Sequence, residues 1–321
     1  MGVMKNKGIG IFVVVIVVLI VVVVVIDALS NRTGKRGDNP YKLEIDQYYK
    51  VDPAMILYKE IRQIKLGDVK PLGLDYSNDR LYVLLNKSLK IVSPRGEELS
   101  NINLPDTARC IHVSGDLMYL GFTNYVGQFH IDGRQIKLWE TLGEKAVITS
   151  IASKGDQVFV ADAGNRSVLR YDTHGQLLGE FGGKRNIDDL HGFVIPSAYF
   201  DLDVYDDELW VVNPGMHALE NYTDEGVLRG FWEKTSMKIE GFSGCCNPAQ
   251  MTIAPDGTFI TSEKGLVRIK AYKASGELIG IVSPPTNDSE ETHAPEVAVD
   301  ESGGVFALDF DRNMIRYFVK K

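Results

Sequence analysis

Short apolar runs alternate with polar turns along most of the chain, and this pattern predicts an all-β protein. The clearest stretch has strand-like runs at Val158–Asp162, Ser167–Tyr171 and Gln176–Phe181. Turn residues rich in Gly, Asn and Asp separate these runs. A further apolar run, Ile148–Ile151, precedes them. One unit of the pattern therefore holds four short strands.

The same unit recurs along the chain. The other five units open on the apolar runs Pro71–Asp75, Cys110–Val113, Ala198–Leu202, Pro248–Thr252 and Pro295–Asp300. Their spacing is very roughly 40 residues, which is typical of the blades of a β-propeller. The sequence therefore predicts a six-bladed β-propeller.

The two ends of the repeat region predict how the ring closes. The sixth unit stops after its third strand at Lys321, whereas an unassigned strand-like run, Met55–Ile64, precedes the first unit. We expect residues 55–64 to complete the last blade. A blade shared between both ends locks the ring and leaves only short sheet edges exposed.

Two segments of the third unit, Val160–Asp162 and Asp172–Leu177, resemble the NHL-repeat family of six-bladed β-propellers. The resemblance covers most of residues 66–321 and is strongest in the third and sixth units. It implies a fold and a shape rather than a reaction, because the family includes protein-binding and RNA-binding scaffolds as well as metal-dependent lyases.

The N-terminal region predicts a membrane segment. Residues 8–26 are uncharged and dominated by Val and Ile. At about 1.5 Å per residue they can cross a bilayer core of roughly 30 Å as a helix. The expected organisation is a cytosolic head at 1–7, a transmembrane helix or signal anchor at 8–26, a polar tether at 27–50 and the propeller at 51–321.

The residues around the apolar run bear on its orientation in the membrane and on its cleavage. Lys5 and Lys7 favour a cytosolic N-terminus, whereas basic residues after the apolar run, among them Arg32, oppose it. Ala28–Ser30 offers small residues for a signal peptidase, and cleavage after Ser30 would give a secreted protein. An uncleaved anchor is favoured because the apolar run is longer than a usual signal core. Either way we expect the propeller to be extracytoplasmic, and periplasmic in a bacterium.

Charge narrows the choice of partner. The formal net charge is −8, and it becomes −9 without Lys5, Lys7 and Asp27. Nonspecific nucleic-acid binding depends on Lys and Arg that neutralise phosphates, so the sequence argues against nucleic acid. A protein partner or a small-molecule ligand is expected instead.

The fifth unit departs most from the others, at Gly241–Pro248, where Cys245 and Cys246 are adjacent. The chain has three cysteines. In an oxidising compartment the adjacent pair could form a strained vicinal disulfide, or one member could pair with Cys110. Both could instead remain thiols that bind a soft metal, or be inert. A glycine-rich loop clamped by a disulfide explains the segment without any ligand.

Residues just before an innermost strand are expected at one mouth of the central channel. This places Cys245, Cys246 and Asn247 near His293 and His191. Cys245, Cys246 and His293 could together hold copper or zinc, although no Cys-x-x-Cys or His-x-x-x-His spacing supports this site. A metal ion is the one cofactor that the sequence suggests.

A charged segment follows in the same unit. Glu263, Lys264 and Arg268 could orient an anionic ligand at the channel mouth, because Arg and Lys match carboxylate or phosphate. The alternative is structural: Glu263 would anchor the following turn, and Arg268 and Lys270 would lie on a solvated strand face. The structural alternative is favoured for this segment.

Acids or amides also end the second strand of five units. They are Asn86, Asp162, Asn213, Glu263 and Asp309. Their recurrence indicates turn anchors rather than a ring of catalytic carboxylates, because Asp and Asn bind the backbone of a following turn. Two longer connections, residues 184–195 and 236–243, are expected to form a lip over the channel.

We therefore expect a membrane-anchored binding scaffold that captures a protein or a ligand at the channel mouth near blades 4–6. No catalytic residues are assigned, because no complete catalytic constellation stands out. A metal-dependent enzyme similar to propeller lyases and lactonases is the first alternative, with His191, His293, Glu263 and the cysteines as ligands or acid/base groups. The second is a redox partner of a membrane electron-transfer system that uses Cys245 and Cys246.

Overall fold

The structure is a computed structural model that describes residues 7–33, 45–182, 192–285 and 293–321. Two compact units divide the chain, Met1–Ile45 and Asp46–Lys321. The first contains helix α1, and the second contains the β-sheets.

Helix α1 spans Lys7–Thr33. Its segment Gly10–Asp27 has a mean hydropathy of 3.5 and is exposed along its whole length. Among the described residues this is the one helix long and apolar enough to cross a membrane. It is a candidate anchor or signal sequence. Two short 3-10 turns precede the first strand: Ile45–Tyr49, which begins at the last residue of the first unit, and Pro53–Met55.

The second unit is a six-bladed β-propeller, as predicted. Strand β1 is Tyr58–Lys65. Blade 1 holds β2 Pro71–Ser77, β3 Arg80–Leu85, β4 Ser88–Val92 and β5 Glu98–Asn103. Blade 2 holds β6 Cys110–Ser114, β7 Leu117–Gly121, β8 Val126–His130 and β9 Gln135–Leu138. Blade 3 holds β10 Ile148–Lys154, β11 Gln157–Asp162, β12 Ser167–Asp172 and β13 Leu177–Gly182.

The remaining blades have the same design. Blade 4 holds β14 Leu202–Tyr205, β15 Glu208–Asn213, β16 Ala218–Tyr222 and β17 Leu228–Glu233. Blade 5 holds β18 Gln250–Ile253, β19 Phe259–Glu263, β20 Arg268–Tyr272 and β21 Leu278–Ser283. Blade 6 holds β22 Glu296–Val299, β23 Val305–Asp309 and β24 Met314–Lys320, and it is completed by β1.

The ring is closed within blade 6. Strand β1 pairs antiparallel with β24, from Tyr58 opposite Lys320 to Lys65 opposite Met314. Across this pair Arg316 binds the Glu60 carboxylate, with an N–O distance of 2.6 Å. The outermost strand of the last blade therefore comes from the N-terminal end of the propeller.

The core lies between the blades. One apolar cluster fills each junction between neighbouring blades. At the junction of blades 4 and 5, for example, Trp210 packs against Phe259 and Trp232 against Phe242. Because both faces of a blade are covered, even a central strand such as β20 is buried at every position.

Side chains also join the inner strands of neighbouring blades. Asp75 in blade 1 accepts a hydrogen bond from the backbone N–H of Val113 in blade 2, at 2.7 Å. Asp201 in blade 4 accepts one from Met251 in blade 5, also at 2.7 Å. Such bonds satisfy backbone groups at strand edges that face the channel.

The predicted turn anchors are confirmed in two blades. The Asp162 carboxylate accepts hydrogen bonds from the backbone N–H groups of Gly164 and Asn165, and Asp309 accepts one from Arg312. Glu263 is different, because its carboxylate binds side chains of the next strand.

Candidate functional site

A cavity of about 560 Å³ lies at one mouth of the central channel. All six blades contribute to its wall. The residues that line it are Lys70, Pro71, Leu72, Arg109, Val147, Ile148, Thr149, Ala198, Tyr199, Phe200, Gln250, His293, Glu296, Phe310, Asp311 and Asn313. Most of them lie in an innermost strand or in the loop just before it. In a propeller these loops surround the mouth of the channel.

The cavity wall is partly apolar. Tyr199, Phe200 and Phe310 supply aromatic surface, and Leu72 and Ile148 supply aliphatic surface. Its volume falls within the range of small-molecule sites, which are mainly apolar with a few placed polar groups.

The polar groups of the wall are unevenly distributed. Lys70 and Arg109, from blades 1 and 2, are exposed and form no ion pair with a described residue. The acids, Glu296 and Asp311, come from blade 6. A positive region and an acidic region therefore meet within one cavity.

His293 and Asp311 form a dyad at the cavity. The Nδ1 atom of His293 lies 2.7 Å from Oδ1 of Asp311, and the His293 backbone N–H donates to Oδ2 at 3.1 Å. The His293 side chain is 59% exposed, and that of Asp311 is 17% exposed. The carboxylate thus fixes the imidazole ring while leaving it accessible to a bound molecule.

Cys245 and Cys246 form a second cluster behind this wall. All three cysteines of the chain are free thiols in the structure. The sulfur atoms of Cys245 and Cys246 are 3.1 Å apart, and Ser197 Oγ donates to Cys246 Sγ at 2.9 Å. The disulfide with Cys110 is not formed, and Cys110 lies in the apolar junction of blades 2 and 3.

Lys264 links the thiols to the cavity. Its ammonium group interacts electrostatically with Cys246 and lies 5.3 Å from the ring centre of Tyr199, which lines the cavity. Burial alone would raise the pKa of Cys246, but hydrogen bonds with Ser197 and Cys245 and the positive charge of Lys264 together lower it. The hydrogen bond to Cys246 raises the pKa of Cys245.

Asn247 holds this loop in place. Its side-chain amide donates to the carbonyl groups of Ser243 and Lys264, at 2.6 and 3.0 Å, and its Oδ1 accepts from the Lys264 backbone N–H. Gly244 adopts a φ of +79°, which glycine reaches without steric cost. Asn247 therefore has a structural role in holding this loop. The sequence predicted that it would lie at the channel mouth, but it does not line the cavity.

Glu263, Arg268 and Lys270 lie elsewhere, inside blade 5. Their side chains are 0% exposed. The Glu263 carboxylate receives Arg268 Nε at 2.6 Å and Nη2 at 2.9 Å, and it lies 2.8 Å from Lys270 Nζ. The prediction that Arg268 and Lys270 lie on a solvated face is wrong, because the neighbouring loop covers that face. Glu263 and Arg268 also do not line the mouth cavity.

The covering loop is the connection at 236–243 that was expected to form part of a lip. Arg268 Nη2 and Lys270 Nζ both donate to the carbonyl oxygen of Gly241, at 2.9 and 2.6 Å. Lys270 Nζ also lies 4.3 Å from the ring centre of Phe242. Burial lowers the pKa of Lys270 to about 8. This loop is thus anchored to blade 5 by a buried cationic cluster.

The alternative metal site of Cys245, Cys246 and His293 is not assembled in the described part of the chain. There, no three His, Cys, Asp or Glu side chains converge as metal ligands. His293 contacts the mouth cavity, whereas Cys245 and Cys246 do not. His191 and most of the connection 184–195 fall outside the described residues.

Carboxyl groups inside the channel were missed by the sequence analysis. Asp75, Asp201, Asp203 and Glu296 surround a second cavity of about 230 Å³, together with His112. Burial raises the pKa of Asp75 and Asp201 to about 7 and that of Asp203 to about 6. The sequence did contain a signal for them, because an Asp or Glu interrupts the apolar residues in or next to the innermost strands of blades 1, 4 and 6.

The fold defines the class of protein, a six-bladed β-propeller with a ligand-sized cavity at one mouth. Comparison with solved structures agrees with this class. A streptogramin B lyase structure superposes with a TM-score of 0.59 at 14% identity, over 84% of this chain and 100% of the other. No protein-family profile and no curated protein matches the sequence.

Two other similar structures illustrate the range of this fold. One is a catalytically inactive histidine-to-alanine variant of virginiamycin B lyase from Staphylococcus aureus with quinupristin, with a TM-score of 0.58, 14% identity and coverage of 82% and 100% of the two chains. Another is a protein of unknown function from Bacteroides thetaiotaomicron, with a TM-score of 0.56, 14% identity and coverage of 81% and 72%. At this identity the likeness shows the fold alone.

Proposed function

We propose that this protein is a membrane-anchored propeller that binds a small amphipathic anion in its mouth cavity. The observation that carries the proposal is the cavity of about 560 Å³, with aromatic walls and two cations that have no ion-pair partner among the described residues. Lys70 and Arg109 would hold the anionic group, and Tyr199, Phe200 and Phe310 would cover the apolar body.

Arg109 is suited to this role. Its Nε atom donates to Thr123 Oγ1 at 3.3 Å, which orients the guanidinium group. Arginine offers further N–H donors in a planar fork that matches a carboxylate, sulfonate or phosphate group. The acids of blade 6 favour a ligand that also carries a donor group at its other end.

Helix α1 supports the anchoring part of the proposal. A helix with a mean hydropathy of 3.5 over Gly10–Asp27 is more stable in a bilayer than in water. With Lys5 and Lys7 on the cytosolic side, the propeller would be extracytoplasmic. The cavity would then sample ligands outside the cytosol.

Filling the cavity is expected to abolish binding of naphthalene-1-sulfonate, a probe that combines an aromatic body with one anionic group. Ala198→Trp places an indole in the cavity from an exposed position, so the propeller should still fold. Arg109→Met should weaken binding about tenfold, which is the effect of one charge-assisted hydrogen bond of ~1.4 kcal/mol. Isothermal titration of the full-length protein in phosphatidylcholine nanodiscs measures both effects.

The matched control is Ala274→Trp, because Ala274 is exposed in a turn of blade 5 and does not line the cavity. It should bind the probe as the unmodified protein does. Uncharged naphthalene-1-sulfonamide should bind more weakly than the sulfonate. Equal binding of both probes, or unchanged binding by Ala198→Trp, would contradict an anion site in this cavity.

A second candidate function is a lyase, and the His293–Asp311 dyad favours it. An imidazole whose Nδ1 is held by a carboxylate can transfer a proton at its Nε2 atom. A histidine-to-alanine change inactivates the structurally similar virginiamycin B lyase. In this candidate function, His293 would be the acid or base that acts on a molecule in the mouth cavity.

If the second candidate is right, the protein consumes quinupristin and the His293→Ala variant does not. The reason is that the variant lacks the proton-transfer group but keeps the cavity. His130→Ala is the matched control, since His130 forms a similar pair with Asp132 at a surface turn, at 3.1 Å. Liquid chromatography with mass spectrometry follows the substrate. No consumption by the unmodified protein, or full activity of His293→Ala, would exclude this lyase reaction.

A further inference from the structure

The cluster around Cys246 has the parts of an oxidation site. Cys246 is 1% exposed and receives a hydrogen bond from Ser197, and the Lys264 ammonium charge acts on it, while the sulfur of the exposed Cys245 is in contact at 3.1 Å. A hydroxyl donor and a neighbouring ammonium charge stabilise a thiolate, which is the reactive form of cysteine. A second thiol in contact is the usual partner that completes such an oxidation.

We propose that Cys246 is a thiolate that reacts with small hydroperoxides and that Cys245 then resolves it to a vicinal disulfide. The three cysteines differ in suitability. Burial raises the pKa of Cys110, which has only apolar neighbours in its cluster, so this thiol should stay inert. Cys245 is exposed but holds its proton more tightly than Cys246.

The first step uses the groups around Cys246. Its thiolate sulfur attacks the terminal oxygen of the hydroperoxide, an S–O bond forms and the O–O bond breaks. The leaving hydroxide or alkoxide takes a proton from the Lys264 ammonium group and departs as water or an alcohol. Cys246 is then a sulfenic acid, and solvent returns a proton to Lys264.

The second step uses Cys245. Its sulfur attacks the sulfur of Cys246, an S–S bond forms and the S–O bond breaks. The departing hydroxide takes the thiol proton of Cys245 and leaves as water. In sum, two thiols lose two electrons and the hydroperoxide gains them.

Oxidation should alter the mouth cavity, a consequence that rests on the proposed function. Ser197 and Tyr199 flank Ala198 in the wall, and Lys264 lies over the Tyr199 ring. In the disulfide, Cys246 no longer carries the negative charge that balances Lys264. An anionic ligand near Tyr199 should therefore bind more tightly to the oxidised protein.

Hydrogen peroxide tests the chemistry on the full-length protein in nanodiscs. Thiol counting after denaturation should fall from three to one, and peptide mass spectrometry should show the peptide with Cys245 and Cys246 lighter by two hydrogen atoms. Cys110 is the internal control and should remain a thiol. Loss of Cys110 at the same rate, or no disulfide between Cys245 and Cys246, would overturn the proposal.

Variants separate the roles of the two thiols and of the lysine. Cys245→Ser should accumulate a sulfenic acid on Cys246 that dimedone traps, whereas Cys246→Ser should oxidise at least about tenfold more slowly. Lys264→Met should slow the first step, and Lys264→Arg should restore it, because arginine keeps the charge. Melting temperatures verify that each variant is folded. Unchanged oxidation of Lys264→Met or of Cys246→Ser would contradict the assignment.

The probe distinguishes this proposal from the proposed function. The oxidised protein should bind naphthalene-1-sulfonate roughly three- to tenfold more tightly than the reduced protein. If the reduced protein binds no probe but forms the disulfide, the anion site is wrong and the oxidation site stands. If the probe binds and no disulfide forms, the oxidation site is wrong and the anion site stands.

Discussion

Replacing Glu263 by glutamine is expected to destabilise the propeller by about 3–5 kcal/mol, the range found when one partner of a buried ion pair is removed. The change keeps the shape of the side chain but leaves Arg268 and Lys270 without their counter-charge at 0% exposure. Since ~1 kcal/mol shifts the melting temperature of a domain of this size by roughly 2–4 °C, the loss should be easily measured by intrinsic fluorescence.

Glu277→Gln is the matched control in the same blade. Glu277 pairs with Lys273 at 2.8 Å, but both side chains are more than half exposed, so this pair should contribute less than about 1 kcal/mol. Adding Lys270→Met to Glu263→Gln should recover part of the loss, because one uncompensated cation is removed. An equal effect of Glu263→Gln and Glu277→Gln would contradict a stabilising role for the buried cluster.

The buried cluster of Glu263, Arg268 and Lys270 also shows a limit of sequence patterns. They predicted where the blades lie, but they did not predict whether a side chain on a blade is buried. Arg268 and Lys270 alternate with apolar residues in β20, a pattern that usually indicates one solvated face. In a propeller the second face is covered by the next blade or its loops, and here Gly241 and Phe242 cover it. That contact joins residues far apart in sequence, which a local pattern cannot reveal.

The sequence predicted only part of the mouth cavity, again because residues that are distant along the chain meet there. His293 was assigned to the mouth because it precedes an innermost strand, and it does line the cavity. Asp311 was missed because it belongs to the turn between β23 and β24, 18 residues along the chain. The thiol cluster joins Ser197, Cys246 and Lys264 from three separate loops, so the sequence could indicate only its adjacent cysteines.

The stability of the propeller is also expected to fall as the pH rises from about 4 to about 7. Burial raises the pKa of Asp75 and Asp201 to about 7, that of Asp203 to about 6, and that of Glu296 well above its ordinary value. In this interval the folded protein keeps protons that the unfolded chain has released. The stabilisation is fully present below the unfolded Asp value of 3.8 and is lost as the pH rises through the folded values.

His112 faces the same channel and acts in the opposite direction. Burial lowers its pKa from 6.5 to about 4, so the stability that it contributes is present above 6.5 and is lost as the pH falls towards 4. Four carboxyl groups with raised pKa values outweigh one imidazole, because each pKa unit corresponds to about 1.4 kcal/mol. The net stability of the propeller should therefore fall as the pH rises from about 4 to about 7, as the carboxyl groups alone predict.

Melting temperatures between pH 4.5 and pH 7.5 test this slope, and Asp201→Asn tests its origin. Asparagine can still accept one of the two backbone hydrogen bonds, from Met251 and Leu202, but it cannot titrate. The variant should therefore lose less stability with rising pH than the unmodified protein. Glu97→Gln, at an exposed turn, should keep the original slope. A propeller that becomes more stable towards pH 7.5 would show that the channel carboxyl groups are ionised in the folded state, held by their backbone N–H donors rather than neutralised by burial.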